Sequence, residues 1–159
     1  MINTPSKSNN VGYCAKNDLS IGKDQTFSLS VTLNSLQSSV RVEFRASENG
    51  RDGYMLKIQN SFIAFYRMGD EPRIMASHNT VVKPDRAYSF SFVFNDSYCT
   101  IYFHDDIEGI EPWPEFDLKI DLFQRFHIVL SEETGYGALF EDFRIMPTEK
   151  QALLIKLHI

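Results

Sequence analysis

The chain has 159 residues, enough for one domain with a core of its own. Hydrophobic residues make up 43% and aromatics 13%, which excludes a disordered chain. The net charge of −5, with no run of Lys or Arg, leaves no basic stripe for a nucleic acid, and no apolar run reaches the roughly 20 residues that a membrane-crossing helix needs.

Residues 1–10 are polar and lack the apolar stretch of a signal peptide, so they read as a flexible lead. From residue 26 onward, alternation dominates. Phe27, Leu29, Val31 and Leu33 point one way, and Ser28, Ser30 and Thr32 the other, which is the period of a half-buried strand. Val40, Val42, Phe44 and Ala46 repeat the pattern, with Arg41, Glu43 and Arg45 on the opposite face. Residues 47–53 (SENGRDG) form a turn cluster, because Asn-Gly and Asp-Gly favour the positive φ angles of tight reversals. Tyr54, Leu56 and Ile58 then alternate with Met55, Lys57 and Gln59. Asn60-Ser61 reverses the chain into residues 62–68, a strand apolar on both faces, and residues 73–77 form a short strand after the loop 69–72.

Pro84 is well placed to start a turn. Beyond it, Tyr88, Phe90, Phe92 and Phe94 line one face, and Asn95-Asp96-Ser97 turns the chain. Cys99, Ile101 and Phe103 then alternate with Tyr98, Thr100, Tyr102 and His104. Residues 104–114 read as a long acidic loop holding Trp113 between Pro112 and Pro114. Residues 115–121, 126–130 and 138–146 are further strands, and residues 148–159 are a tail or linker with a short helix or one more strand. About ten or eleven short strands at near-regular spacing predict an all-β fold: an antiparallel two-sheet sandwich over residues 11–147. Two cysteines, Cys14 and Cys99, are too few for a disulfide framework and read as free buried thiols.

The order of these pieces resembles the concanavalin A-like lectin/glucanase superfamily, in particular its laminin-G-like and levanase-type carbohydrate-binding groups. The resemblance rests on the strand 27–33, then Ser39-Val40-Arg41-Val42-Glu43-Phe44-Arg45-Ala46, then Gly53-Tyr54-Met55-Leu56-Lys57-Ile58. The hairpin 86–103 and the closing Gly137-Ala138-Leu139-Phe140-Glu141-Asp142-Phe143-Arg144-Ile145 extend it. It implies a jelly roll whose first and last strands pair, with sugar met on one outer sheet face or by the loops at its edge.

Four constellations carry candidate chemistry. Glucanases of the superfamily hold catalytic carboxylates as E-x-D-x-x-E or E-x-D-x-E. Here Glu115 and Asp117 start such an array, but Lys119 and Ile120 occupy the third carboxylate's positions, so no catalytic residue is assigned. The second constellation is a glycan-binding set. Arg41, Glu43, Arg45, Lys57 and Arg67, with Tyr102 and His104, offer charged hydrogen-bonding groups and an aromatic ring. The competing reading is cross-strand charge pairing on a wet sheet. The third is Trp113, either a sugar-stacking platform or protein anchor, or an indole folded back over the sandwich end. The fourth is an oxygen-rich loop, Asp105, Asp106 and Glu108, suited to a structural Ca²⁺. The scattered histidines fit no zinc spacing, and no cofactor motif appears.

The function expected is a non-catalytic carbohydrate-binding, lectin-like module that recognises a glycan or polysaccharide. The alternative is a protein-interaction or sensor ectodomain on the same sandwich, with a glycoside hydrolase behind both. The expected setting is extracellular or cell-surface, within a longer exported protein whose neighbouring domains are further partners.

Overall fold

A computed structural model describes residues 2–3, 20–47, 52–95, 98–105, 109–119 and 125–148, with backbone alone for 2–3, 104–105 and 109–119. In chain order the first strands are β1 (Ile2–Asn3), β2 (Ser20–Gly22), β3 (Gln25–Leu33), β4 (Ser39–Arg45), β5 (Gly53–Gln59) and β6 (Phe62–Met68). They are followed by β7 (Arg73–Asn79), β8 (Ala87–Asn95), β9 (Tyr98–Asp105), β10 (Gly109–Lys119), β11 (Arg125–Glu132) and β12 (Ala138–Pro147).

The strands form two six-stranded antiparallel sheets, ordered β1-β12-β3-β8-β9-β10 in the first and β2-β11-β4-β5-β6-β7 in the second. The fold is the all-β two-sheet sandwich that the alternation predicts. Two residues of the polar lead, Ile2 and Asn3, pair with Phe140 and Leu139 of β12. The tail 149–159, including its expected helix, lies outside the described residues, as does Cys14.

The apolar alternate sets supply the core from both sheets. Phe44 of the second sheet sits among Phe27, Phe92 and Phe94 of the first, with ring centroids 6.3, 4.9 and 5.2 Å away. Edge-to-face and tilted pairs of this kind add about 0.5–1.5 kcal/mol each beyond their buried area. Tyr54 and Phe65 stack at 5.7 Å, and Tyr88 and Phe103 at 5.3 Å. Cys99 is a fully buried cysteine on the inner face, outside any disulfide.

Two details depart from strict alternation. A bulge interrupts the pairing of β12 with β3 between Glu141 and Arg144, where Asp142 has φ 56°. It turns Phe143 back toward the core, stacked 6.4 Å from Phe27. The second detail corrects the sequence reading of residues 104–114 as a loop. The backbone there enters β10, where Gly109 stands opposite Asp105 and Trp113 opposite Phe103. Register shifts on either side of Trp113 and an edge position accommodate Pro112 and Pro114, which cannot donate to a ladder.

Candidate functional site

The outer face of the second sheet collects the charged residues. Because Val40, Val42 and Phe44 are buried inward, alternation turns Arg41, Glu43 and Arg45 outward on β4. Antiparallel register then fixes their neighbours. Arg41 stands opposite Lys57 of β5 and Ser131 of β11; Glu43 opposite Met55 and Val129; Arg45 opposite Gly53 and His127.

The side chains form one alternating row. The Arg45 guanidinium donates to Glu43 through Nε at 3.4 Å and Nη2 at 3.3 Å. Arg41 reaches the same carboxylate at 3.5 Å and donates through Nη1 to Glu133 at 3.2 Å. Lys57 Nζ lies 3.1 Å from Glu133. The Ser39 hydroxyl donates to Glu133 at 2.8 Å and accepts from the Gln59 amide at 2.9 Å. Glu43 is only 5% exposed although it belongs to an outer face, and both arginines pair with it. Exposed ion pairs contribute little, about 0–1 kcal/mol each. A partly buried network holds its donors and acceptors in fixed directions, which recognition of a polar ligand requires.

An apolar shelf borders the row. Across β5 and β6, Met55 stands opposite Tyr66, and Tyr66 opposite Ile74 of β7. Met55 and Met68 on this face are buried, so Tyr66 and Ile74, the latter 58% exposed, supply its accessible apolar surface. A half-buried tyrosine ring two strands from Glu43, about 10 Å at the usual strand spacing, offers a surface for the C–H groups of a sugar.

A second carboxylate anchors the loop that delivers Glu133. Glu132 is buried at the end of β11 and accepts four hydrogen bonds. They come from the Ser39 N–H at 2.8 Å, the Thr134 hydroxyl at 2.6 Å, and the Gly137 and Thr134 N–H groups at 3.0 Å. Burial alone would raise this carboxyl's pKa. The bonds from Ser39, Thr134 and Gly137 outweigh that and hold it below its ordinary value.

The structure divides the expected binding set. Arg41, Glu43, Arg45 and Lys57 share one face. Arg67 stands opposite Tyr54 in an inner-face register at the sandwich end, not on the charged face. Its guanidinium lies 5.1 Å over the Tyr54 ring and donates to the Gly53 carbonyl at 2.9 Å and to Asp52. Tyr102 and His104 belong to β9 of the opposite sheet, opposite Ser91 and Ser89. Trp113 is on the edge strand of that sheet. Glu115 and Asp117 fall on the same edge strand, remote in topology from β4. Asp105 closes β9, while Asp106 and Glu108 of the expected calcium loop lie outside the described residues. Among the described residues, no cluster of three metal-ligating side chains occurs.

Sequence reasoning missed Tyr66, His127, Glu133 and Glu132. β6 is apolar on both faces, so only its pairing opposite Met55 places Tyr66 on the outer face. Glu133 follows a strand end and joins the row only through the fold.

No family description matches the sequence, and no curated protein matches it significantly. Solved structures do match in fold. The carbohydrate-binding module CBM66 from Bacillus subtilis superposes with TM-score 0.65 at 15% identity, covering 80% of this chain and 77% of that one. Sheep galectin-11, solved with glycerol, gives 0.57 at 12% identity over 87% of this chain and all of the other (100%). A xylan β-1,4-xylosidase from Bacillus halodurans gives 0.57 at 12% identity, over 76% of this chain but only 27% of its own. The chain therefore has a jelly-roll β-sandwich fold.

Proposed function

We propose that the protein is a non-catalytic carbohydrate-binding module that holds a glycan on the outer face of its second sheet. The observation that carries this reading is the row Arg45–Glu43–Arg41–Glu133–Lys57 beside the Met55–Tyr66 shelf. Carboxylates accept from sugar hydroxyls, guanidinium and ammonium groups donate to them, and the tyrosine ring covers the C–H face. Structural similarity to a carbohydrate-binding module and to galectins supports the reading at the level of fold, since a fold hosts many functions. It suits a protein placed where glycans are displayed, on a cell surface or outside the cell. The levanase-type grouping belongs to the same proposal.

A glycan array or affinity electrophoresis in polysaccharide gels tests it. Binding is expected for the wild type and is lost in Arg45→Ala and Tyr66→Ala variants that keep the native circular-dichroism spectrum. Absence of binding to every glycan would refute it. Ile74, exposed beside Tyr66, favours a second reading in which the shelf meets a protein partner. That reading predicts a binder displaced by Ile74→Asp and indifferent to sugars.

A further inference from the structure

We infer that the glycan is acidic, with a carboxylate or sulfate group received beside Lys57; this rests on the glycan-binding reading. The row alternates in sign and both of its ends are cations. Arg45 faces Glu43, Arg41 is shared by Glu43 and Glu133, and Lys57 faces Glu133. Among the described residues three cations therefore meet two carboxylates in this row, an excess of one positive charge on a chain whose total is −5. A neutral sugar leaves that excess uncompensated, whereas an anionic substituent continues the alternation.

The two ends are not equivalent. At the Arg45 end the guanidinium is engaged with Glu43 through both Nε and Nη2, and the neighbouring Gly53 has no side chain. At the other end Lys57 stands opposite the buried Ala64 of β6, Ala64 stands opposite the exposed Ser77 of β7, and the Lys57 ammonium makes its ion pair through a single contact with Glu133. An anionic group at this end meets the Lys57 ammonium from the outer side of the sheet, with the exposed Ser77 hydroxyl two strands away. Lys57 keeps about a quarter of its side chain exposed (24%) beside Glu133. Arg41 stands opposite Lys57 on the next strand, and its Nε is buried with no hydrogen-bond partner among the described residues. The overall negative charge repels polyanions, so a preference for an acidic glycan would have to come from this local arrangement.

The test is a glycan array carrying matched sets that differ only in the substituent: neutral, carboxylate-bearing and sulfated forms of the same backbones. The full chain is read as wild type, Lys57→Met and Arg144→Ala, the last an exposed arginine on the other sheet as a control. Wild type and control are expected to favour acidic members by about tenfold, the scale of one charge-assisted bond replacing a neutral one. The preference shrinks with salt and disappears in Lys57→Met, whose fold is checked by its melting temperature. The carboxylate and sulfate arms identify which anion is taken. Binding confined to neutral members overturns this inference and leaves the glycan reading intact, while no binding at all overturns both. An acidic preference that survives Lys57→Met refutes the placement beside Lys57.

Discussion

Replacing Glu132 with Gln removes one charge from the chain without changing side-chain size, and the structure sets the cost. One carboxylate oxygen accepts three bonds, from the Ser39 N–H, the Thr134 N–H and the Thr134 hydroxyl; the other accepts from the Gly137 N–H. A glutamine keeps one oxygen. If that oxygen takes the three-bond position, its amide N–H₂ confronts the Gly137 N–H, and two donors face each other. Leaving one buried donor unpaired costs about 1–3 kcal/mol, and converting the others from charge-assisted to neutral bonds brings the total to roughly 3 kcal/mol. At about 2–4 °C per kcal/mol for a chain of this size, melting should fall by roughly 6–12 °C at neutral pH. The pH dependence supplies an independent check. The folded-state carboxyl is held below its ordinary value, so its contribution is fully present above that ordinary value. It is lost as pH falls through the folded-state value. The stability gap between wild type and Glu132→Gln, read from urea melts, should therefore narrow with acidification. An unchanged midpoint at neutral pH, or a gap that does not move with pH, would refute the account of this carboxylate.

Four other outcomes follow from the same geometry. Phe44→Ala, which empties the centre of the aromatic cluster, should cost about 3–5 kcal/mol in a urea melt, and a loss below 1 kcal/mol would contradict its placement. Gly53→Ala should destabilise the β4–β5 hairpin, because a Cβ there would sit 2.0 Å from the Phe44 carbonyl oxygen at φ 141°; a melting temperature equal to wild type would count against it. Cys99 should resist a thiol reagent in buffer and react fully in denaturant, with fast native-state labelling as the contrary result. Glu133→Gln should weaken glycan binding several-fold and sharpen any preference for acidic ligands, since it removes the anion that neutralises Arg41 and Lys57; calorimetry on matched neutral and acidic glycans reads both effects.

The sandwich was legible because its strands alternate cleanly. Phe27 to Leu33, Val40 to Phe44 and Tyr88 to Phe94 each announce one buried face, and each is buried in that phase. The same alternation placed Arg41, Glu43, Arg45 and Lys57 outward. What alternation cannot express is strand order. Tyr102 and His104 are as outward in phase as Arg41, yet β9 lies in the other sheet, so the predicted set was split by topology. Arg67 failed for a different reason. Its strand is apolar on both faces, so polarity gave no phase, and only pairing with Tyr54 reveals the inner register. Trp113 was misplaced because two prolines ordinarily end a strand, and an irregular edge strand is the setting in which they do not.

The two outer faces show why a charged row carries more functional information than a polar surface as such. On the first sheet, Ser28 meets Ser91 at 3.0 Å and Ser30 meets Ser89 at 3.4 Å. Short hydroxyls satisfy one another there with side chains that lose little freedom, which is an economical way to finish a sheet against water. On the second sheet the equivalent positions hold two arginines, a lysine and a nearly buried glutamate. These side chains lose more rotamer freedom when fixed, and burying Glu43 between them incurs a desolvation cost that surface pairing barely offsets. A sheet needing only solubility has the cheaper solution available and uses it one layer away. The costlier arrangement on the second sheet is what a site pre-organised for a polar ligand requires, and it makes the Arg45–Lys57 row the first place to look for binding.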